Sequence, residues 1–406
     1  MNLPYFISKR INKPESKSFS STIHKIAVGS ISIGLAVMIV SFLILKGFQE
    51  TVKEKIYAFS AHFQVTKYYY GSSFEEPPMN INTALYKNYK DLGFVDHMQE
   101  YAHKAGLMKT EDEVLGIVVK GVGKSFDTVR FSSHLIEGRF INYNSEGYSR
   151  EVVLSKAIAN KLRINTGEDI ILHFFQDPPR TRKLNVVGIY ETNLSEYYDD
   201  RFIIGDIRMI QRLNSWADSI AGGMEIFVKD VNAIDQVKPV LDSLIAHDQY
   251  VEKVSEKYIQ VFEWLGLIKR QVNIFLAIIL VVVCVNMVSI ILIMIMERTQ
   301  MIGTLKALGA DDGLIRQVFS YSGARLVTKG MFFGNLIGLG FCAVQYYFEV
   351  ITLNPHDYYM SVVPVSWHWD IVLWLNLLTF VTVFLILIIP TAAIAGIQPI
   401  KAIRFD

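Results

Sequence analysis

The sequence predicts a membrane protein with four transmembrane α-helices, arranged as one span, a large α+β domain and three further spans. Just over half of the 406 residues are hydrophobic, and four long runs contain almost nothing else. Each run reaches the roughly 20 apolar residues that a helix needs to cross a bilayer core about 30 Å thick. About 225 residues of mixed composition separate the first run from the second. That length is enough for a folded domain.

The spans are predicted at residues 26–45, 272–296, 326–348 and 371–397. The first span has an apolar core of about 20 residues, longer than the roughly 7–15 of a signal peptide. No small-x-small cleavage site follows it. We therefore expect the first run to stay in the protein as a membrane helix.

Positive charges in the short loops predict the orientation. Segment 1–25 holds five Lys and Arg residues against one acid, loop 297–325 holds four and tail 398–406 holds two, whereas loop 349–370 holds none. Because Lys and Arg favour the cytoplasmic side, both termini and loop 297–325 are predicted there. The large segment 46–271 and loop 349–370 are then outside.

The ends of the exported segment are predicted to be helical. Apolar residues recur at spacings of four, four and three at its start, namely at Phe48, Val52, Ile56 and Phe59. This pattern predicts an amphipathic helix that continues the first span. The sequence "YVEKVSEKYIQVFEWLGLIKRQVNIF" at 250–275 is predicted to lead as a helix into the second span.

The middle of the exported segment predicts alternating strands and short helices. Its strand-like runs, separated by turn signals, are "HFQVTKYY", "VLGIVVKG", "EVVLS", "DIILHFF", "KLNVVGIY" and "MEIFVKD". Short helices are predicted at Lys156–Leu162, Asp206–Leu213 and Val231–Ala246. The stretch 94–108 fits either a helix or a strand.

The chain shows no motif that could supply energy. The four apolar runs, of which the third is Gly330–Phe348, contain no Asp, Glu, Lys, Arg or His. Their absence argues against an ion-coupled transporter and an intramembrane protease. Gly123-Lys124-Ser125 lacks the earlier glycine of a phosphate-binding loop, and no zinc or nucleophile-elbow motif occurs. The net charge of +1 gives no indication of a nucleic-acid partner. Energy for transport would therefore come from a cytoplasmic partner.

Small and neutral polar residues in the spans predict helix–helix contacts. Gly330, Gly334 and Gly338 recur every four residues in the third span, and Ser30 and Gly34 form a weaker version in the first. Such spacing lets helix backbones approach closely. The amides expected to bond across helices are Asn273, Asn286 and Asn335. Cys284 and Cys342 each lie in a span, which favours apolar packing over a disulfide or a metal site.

The loop "ERTQMIGTLKALGADDGLIRQVF" predicts two helices joined by a turn. Met301, Leu305 and Leu308 form an apolar stripe with Ile302 beside it. Gly309 ends this short helix, and Asp311 or Asp312 caps the next one. Two interpretations remain open: a loop lying on the bilayer surface, or a helix that docks in a groove of a cytoplasmic partner.

The same loop resembles the segment after the second span in permease subunits of the MacB/FtsX/Lol class of ABC transporters. The one-plus-three span layout and the C-terminal "PTAAIAGIQPIKAIRFD" fit this class as well. The resemblance covers essentially the whole chain. Several motifs are most similar to the lipoprotein-releasing permeases LolC and LolE: "YFISKRI", "GFQETVKEKI", "AHFQV", "LSKAIANKLRINTGEDIIL", "VVGIYETNLSEYYDDRFI" and "NPHDYYMSVVPV".

This resemblance implies a non-catalytic permease subunit of the inner membrane with a periplasmic domain. It would pair with a second permease, a copy or a paralogue, and with two cytoplasmic ATPase subunits. ATP-Mg would bind in the ATPases, and this chain would bind no cofactor. The implied ATPase-coupling residues are Glu297, Arg298, Met301, Ile302, Leu305, Lys306, Leu308 and Gly309.

The resemblance further implies that lipoproteins pass from the outer leaflet, through a cavity between the first and second spans, to a periplasmic carrier. A hook that grips the carrier would correspond to Phe174, Phe175, Gln176, Asp177, Pro178, Pro179 and Arg180; a plain hairpin turn is the alternative. Residues implied in cavity lining or helix packing are Ser30, Gly34, Gly47, Phe48, Gly330, Gly334 and Gly338.

Two positions depart from the family pattern, and other functions fit the same fold. Met301 stands where the family often has an acid, and Lys46 where it often has Asn. An FtsX-like transmitter that controls a periplasmic hydrolase and a MacB-like export subunit are the alternatives within the class. A membrane receptor that works without an ATPase is the alternative outside it.

Overall fold

The computed structural model describes residues 3–11, 19–69, 74–110, 113–143 and 147–392. They form two compact units. We name them the helical unit, which comprises Met1–Glu50, Trp264–Thr352 and Val362–Asp406, and the sheet unit, which comprises Thr51–Glu263 and Leu353–Ser361. Parts of three predictions lie outside the described residues: the predicted N-terminal segment at 1–2 and 12–18, the end of the fourth span at 393–397, and the tail at 398–406.

The helices, in chain order, are α1 (Leu3–Ile11), α2 (Phe19–Ser60), α3 (Ala84–Asn88), α4 (Thr128–Ser132), α5 (Lys156–Leu162), α6 (Ile207–Leu213), α7 (Ile234–Leu244), α8 (Val254–Lys257), α9 (Ile259–Glu297), α10 (Thr299–Ala307), α11 (Asp312–Phe348), α12 (Pro355–Tyr358), α13 (Trp369–Ile386) and α14 (Ile388–Ala392). The strands are β1 (Phe63–Lys67), β2 (Met79–Asn80), β3 (Val95–Lys109), β4 (Val114–Val122), β5 (Leu135–Gly138), β6 (Glu151–Ser155), β7 (Asp169–Phe174), β8 (Arg180–Tyr190), β9 (Phe202–Asp206), β10 (Ile220–Ala221), β11 (Gly223–Val228) and β12 (Gln249–Lys253).

Four helices among the described residues are long and apolar enough to cross a membrane, as the sequence predicts. They lie at Thr22–Ser60, Ile259–Glu297, Asp312–Phe348 and Trp369–Pro390. The last is not a single regular helix, because α13 ends at Ile386 and α14 begins at Ile388. Pro390 explains the break, since a proline ring clashes with the carbonyl four residues earlier, here that of Ile386.

The first span and the segment after it form one continuous helix. α2 has 42 residues and no proline, and at 1.5 Å per residue it is about 63 Å long. This is about twice the thickness of a bilayer core. The predicted helical extension through Phe59 is therefore confirmed.

The predicted helix from Tyr250 is wrong at its start. Residues 249–253 form β12, which pairs antiparallel with β1 from Phe63 to Lys67. α9 begins only at Ile259, after the short helix α8. Pairing with β1 supplies hydrogen-bond partners for the backbone N–H and C=O groups of this segment. The segment is therefore a strand, although its local sequence pattern favours a helix.

The sheet unit is built on a ten-stranded mixed sheet. Its strand order is β12-β1-β11-β3-β4-β9-β6-β8-β5, and β7 pairs with both β3 and β8. The β4–β9 and β6–β8 pairs are parallel, and the other pairs in this sheet are antiparallel. All six predicted strands are present. The stretch 94–108, which fits either a helix or a strand in the sequence, lies almost entirely in strand β3. The sequence pattern did not reveal strand β9.

Helices α5 and α6 pack on one face of this sheet. Ser155 caps α5 by accepting a hydrogen bond from the Ile158 amide at 3.1 Å, and the carboxylate of Asp206 caps α6 through the Arg208 amide at 2.9 Å. A Cβ on Gly121 of β4 would lie 2.9 Å from the Ile207 Cα. Only glycine at this position allows α6 to lie so close to β4. The apolar core of the sheet unit includes buried residues of both α6 and β4.

In the helical unit, α11 packs against α2 through its three predicted glycines. A Cβ on Gly330 would lie 2.6 Å from the Ile31 Cβ, and one on Gly334 would lie 3.0 Å from the Leu35 Cβ. Gly338 lies as close to the backbone of Ala36. Because these three residues have no side chain, α11 can pack closely against the first span.

We predict that Gly330→Ala lowers the stability of the full chain, whereas Gly340→Ala does not. The new Cβ at position 330 clashes with Ile31, and overpacking of this kind costs about 1–3 kcal/mol. A Cβ at Gly340 would have no atom within 4 Å, so alanine there should be neutral or stabilise the helix by roughly 0.5–1 kcal/mol. Thermal unfolding in detergent measures both; equal midpoints for the two variants would contradict the packing described.

Candidate functional site

The loop between the second and third apolar helices folds as the sequence predicts, into a short helix, a turn and a capped helix. α10 ends at Ala307 with Leu308 as its C-cap, and Gly309 has a φ of +93°, in the left-handed region that favours glycine. The Gly309 amide donates to the Lys306 carbonyl at 3.0 Å, and the Ala310 amide donates to the Leu305 carbonyl at 2.9 Å. This pair of bonds is a Schellman motif, which fixes the direction in which the chain leaves α10.

The next helix begins at a residue that the sequence indicated. Asp311 is the N-cap of α11, and its carboxylate accepts a hydrogen bond from the Leu314 amide at 3.3 Å. The side chain of Lys306 pairs with Asp312 at 2.8 Å, which ties α10 to the first turn of α11. The turn is therefore held by backbone and side-chain contacts on both sides.

The predicted apolar stripe of α10 is not exposed as a whole. Ile302 is completely buried, and Met301 packs against the same apolar cluster of the helical unit. Leu308 is 80% exposed, and Leu305 is intermediate. A short amphipathic helix beside membrane helices uses part of its stripe to pack on them, so the free apolar surface is concentrated at the C-terminal end of α10.

The predicted hook residues lie in a tight β-hairpin of the sheet unit. Phe174 ends β7, is buried and pairs with Arg180 at the start of β8. The Gln176 side chain donates to the Leu213 carbonyl at 2.9 Å, and the Arg180 guanidinium donates to the Arg212 carbonyl at 3.1 Å. Phe175 is 73% exposed. The loop is held against the end of α6 and presents one aromatic ring to solvent.

The residues predicted for cavity lining or packing make contacts within the helical unit. The Asn286 amide donates to the Ser30 hydroxyl at 3.0 Å, and a Cβ on Gly34 would overlap the Val283 Cγ2. The first and second apolar helices therefore touch at these levels. Asn335 forms a reciprocal pair with Asn376, at 2.7 and 2.9 Å, so two of the predicted amides bond across helices.

A polar cluster at the C-terminal end of the predicted first span escaped the sequence analysis. The carboxylate of Glu50 accepts hydrogen bonds from the Ser366 hydroxyl at 2.6 Å and from His368 Nε2 at 3.0 Å. Lys46, one of the two departures from the family pattern, pairs with Glu50 at 3.2 Å. Gly47 packs closely against the backbone of the same segment: a Cβ at this position would lie 2.8 Å from the Pro364 carbonyl oxygen. These contacts fix the segment before α13 to α2.

Phe48, the remaining predicted residue of this group, lies beside the cluster. It is buried, and its ring packs edge-on against Trp264 at a centroid distance of 5.5 Å. The nearby Gln49 side chain donates to the Leu265 carbonyl at 3.1 Å. Both contacts join α2 to α9 just beyond the predicted end of the first span.

The sheet unit contains a buried ion pair that only one sequence feature could have indicated. Lys120 and Glu225 are both fully buried and lie 2.7 Å apart. Gln99 donates to the same carboxylate at 2.7 Å, so the charges are paired and hydrogen-bonded as buried charges must be. Burial lowers the pKa of Lys120, and Glu225 opposes that effect. The signal in the sequence was the lysine inside the apolar run "VLGIVVKG".

Two histidines are held neutral near the end of α2 in the same unit. His62 is buried and accepts a hydrogen bond from the Val228 amide at Nδ1, at 3.0 Å. Burial lowers the pKa of His62 to about 4, and the positive charge of Arg130 adds to the effect. Burial also lowers the pKa of His134 to about 4, with a contribution from Lys55.

We predict that acid destabilises the sheet unit between about pH 6.5 and pH 4. An unfolded histidine binds its proton near pH 6.5, whereas folded His62 binds it only near pH 4. The unfolded state therefore holds more protons in this window, and stability present above pH 6.5 is lost as the pH falls. The full shift corresponds to about 3 kcal/mol.

The test is thermal unfolding of the full chain between pH 7 and pH 4. In His62→Phe the stability of the chain should depend less steeply on pH, by the equivalent of about one bound proton. The variant should also be less stable at pH 7, because the Val228 amide loses its hydrogen-bond acceptor. His247→Phe, at an exposed histidine, is the control and should keep the wild-type slope. An unchanged slope in His62→Phe would show that His62 does not carry the effect.

Comparison with known proteins identifies the family. The MacB-like periplasmic core domain matches residues 26–244, which is more than half of the chain, and the FtsX-like permease C-terminal region matches residues 273–399. The chain belongs to the MacB/FtsX/Lol class of ABC transporter permeases.

Individual relatives match over the full length. The chain is 20% identical to the lipoprotein-releasing system transmembrane protein LolE of Haemophilus influenzae, over 99% of this chain and 99% of that protein. It is 21% identical to the lipoprotein-releasing system transmembrane protein LolC of Xylella fastidiosa, over 100% of this chain and 98% of that protein. Among solved structures, the periplasmic region of MacB from Actinobacillus actinomycetemcomitans is similar to 49% of this chain and 91% of that chain, with 12% identity and a TM-score of 0.35.

Proposed function

We propose that this chain is a permease subunit that releases lipoproteins from the outer leaflet of the inner membrane to a periplasmic carrier, driven by a separate ATPase. The observation that carries the proposal is the similarity to LolE and LolC, which spans both units and nearly the full length of each relative. The sheet unit then lies in the periplasm. Both termini and the loop that contains α10 lie in the cytoplasm, in agreement with the distribution of Lys and Arg.

In this proposal α10 couples the permease to the ATPase. Leu308 offers an exposed apolar side chain at one end of the helix, while Ile302 is buried among the membrane helices. A helix anchored in this way can transmit a displacement of its exposed end to α9 and α11. Met301 supports the anchoring role, because it packs in the apolar cluster where an acid would be unfavourable.

The partners follow from the same proposal. Two ATPase subunits bind ATP-Mg and the α10 helices of two permeases, and the second permease is a copy of this chain or a paralogue. This chain contributes no catalytic residue. Its part is to transmit movement along the continuous helix α2 and the helix α9 to the periplasmic domain.

We predict that Leu308→Glu lowers ATP-driven lipoprotein release at least about tenfold. A charge at the centre of an apolar docking contact costs about 2 kcal/mol or more. Because Leu308 is exposed, the variant should insert and unfold like the wild type. Release from proteoliposomes to a soluble carrier, with the cognate ATPase present, is the measurement.

Leu244→Glu is the matched control for this experiment. It places the same charge on an exposed leucine of α7 in the sheet unit and should leave release unchanged. Normal release by Leu308→Glu would exclude α10 as the coupling helix.

We also propose that the hairpin loop around Phe175 contacts the carrier. A photo-crosslinking phenylalanine analogue at position 175 should capture the carrier during release, because this ring is free while the loop behind it is fixed. The same analogue at Val129, an equally accessible apolar position in the sheet unit, should capture little. Equal yields at the two positions would reject the hook assignment.

A further inference from the structure

The sheet unit contains a cavity of 610 Å³ that none of the proposed roles uses. Its size falls within the range of small-molecule sites. It lies between the end of α2, β1, β3, β12 and the segment before β2. Aromatic rings form much of the wall, from Phe59, Tyr69, Phe74, Tyr101, Tyr197, Phe202, Tyr250 and Tyr258. Polar and charged side chains from the same elements complete it.

One wall of the cavity holds a buried hydroxyl that lacks a partner. Tyr101 is completely buried, and its hydroxyl makes no hydrogen bond within the part of the chain that the structure describes. Two other fully buried tyrosines differ: the Tyr190 hydroxyl donates to the Phe202 carbonyl at 2.8 Å, and the Tyr198 hydroxyl bonds to Ser60 at 2.9 Å. A buried polar group without a partner is costly, so the Tyr101 hydroxyl indicates that something else binds there.

Two charges of opposite sign also line this cavity without partners. The Glu252 carboxylate and the Arg201 guanidinium make no hydrogen bond or ion pair with any described residue. Burial raises the pKa of Glu252, the charge of Glu256 adds to this effect, and the charge of Lys257 opposes it. Several other charged groups of the wall are already paired. Glu76 lies 2.6 Å from His103, and Lys67 lies 2.9 Å from Asp248.

Lys257 lines the same cavity and its charge acts on Glu252, but its hydrogen bond goes to another residue. Its ammonium group donates to the Gln64 side chain at 2.6 Å, and that amide in turn donates to the buried carboxylate of Glu225 at 3.2 Å. The ammonium group of Lys257 is therefore hydrogen-bonded to the network of Gln64 and Glu225. Glu252 and Arg201 are then the anion and the cation of the wall that have no hydrogen bond or ion pair with the described residues.

We propose that this cavity binds a small zwitterion, a ligand that carries an ammonium group and an oxyanion. The Arg201 guanidinium can bind the oxyanion through two parallel N–H bonds, and the Tyr101 hydroxyl can donate to it. Glu252 binds the ammonium group, and the surrounding rings favour a cation through their π-faces. A simple anion would leave Glu252 without a partner, and a simple cation would leave Arg201 without one.

Two sources can supply this chemistry: a free amino acid, or the ethanolamine phosphate headgroup of a lipid. The probes are therefore L-leucine and glycerophosphoethanolamine, titrated separately by calorimetry into the full chain. The chain is held in nanodiscs of phosphatidylglycerol, whose headgroup carries no ammonium group. We expect saturable binding of at least one probe, and the probe that binds identifies the source.

Three variants test the assigned residues. Glu252→Gln and Arg201→Gln should each weaken binding at least about tenfold, because each removes a hydrogen bond to a charged group. Tyr101→Phe should weaken binding by about two- to tenfold without lowering the unfolding midpoint, since the lost hydroxyl has no partner among the described residues. Tyr190→Phe is the matched control: it should lower the midpoint and leave binding unchanged.

Three results would overturn the proposal. Binding of neither probe would show that the cavity is not a zwitterion site. Wild-type affinity in the Glu252, Arg201 and Tyr101 variants would place any binding elsewhere. Equal binding of maltose, a neutral molecule with many hydroxyl groups, would show that the cavity selects hydrogen-bonding groups and not opposite charges.

Discussion

The close contact between α2 and α11 is the constraint on which the helical unit depends. Backbone polar groups within a bilayer must be satisfied by the protein, which an unbroken helix does along its whole length. α2 meets this condition over 42 residues without a proline. Three glycines on α11 bring that helix within van der Waals distance of α2. α2 continues to Ser60, whose hydroxyl is hydrogen-bonded to the Tyr198 hydroxyl at 2.9 Å.

This arrangement gives the proposed function a physical basis. The apolar runs contain no ionisable residue, which argues against coupling to an ion gradient, and in the proposed function the movement is delivered by the ATPase. α10 is suited to receive such movement, because one end is exposed and the other is packed among the helices. Within the sheet unit, removal of one partner of the buried Lys120–Glu225 pair would cost several kcal/mol, since it leaves an uncompensated buried charge.

Much of the fold follows from the sequence, and the differences have identifiable causes. The apolar runs, the Gly309 turn and the Asp311 cap depend on local chemistry, which the sequence displays. The strand at 249–253 depends on its partner β1, and no local pattern reveals a partner that is distant in the chain. The burial of Ile302 has the same origin: the stripe of α10 is visible in the sequence, but the side that faces other helices is not. Glu252, Arg201 and the Tyr101 hydroxyl come together only through the sheet, so their association could not be predicted.

The most direct test of the account is reconstitution of the wild-type chain with its ATPase in proteoliposomes that contain a lipoprotein, with a soluble carrier outside. The amount of lipoprotein transferred to the carrier is measured with ATP and with a non-hydrolysable analogue. The account predicts transfer that requires hydrolysis and fails when this chain is omitted. Transfer that is equal with the analogue, or no transfer despite active ATP hydrolysis, would contradict a role in lipoprotein release.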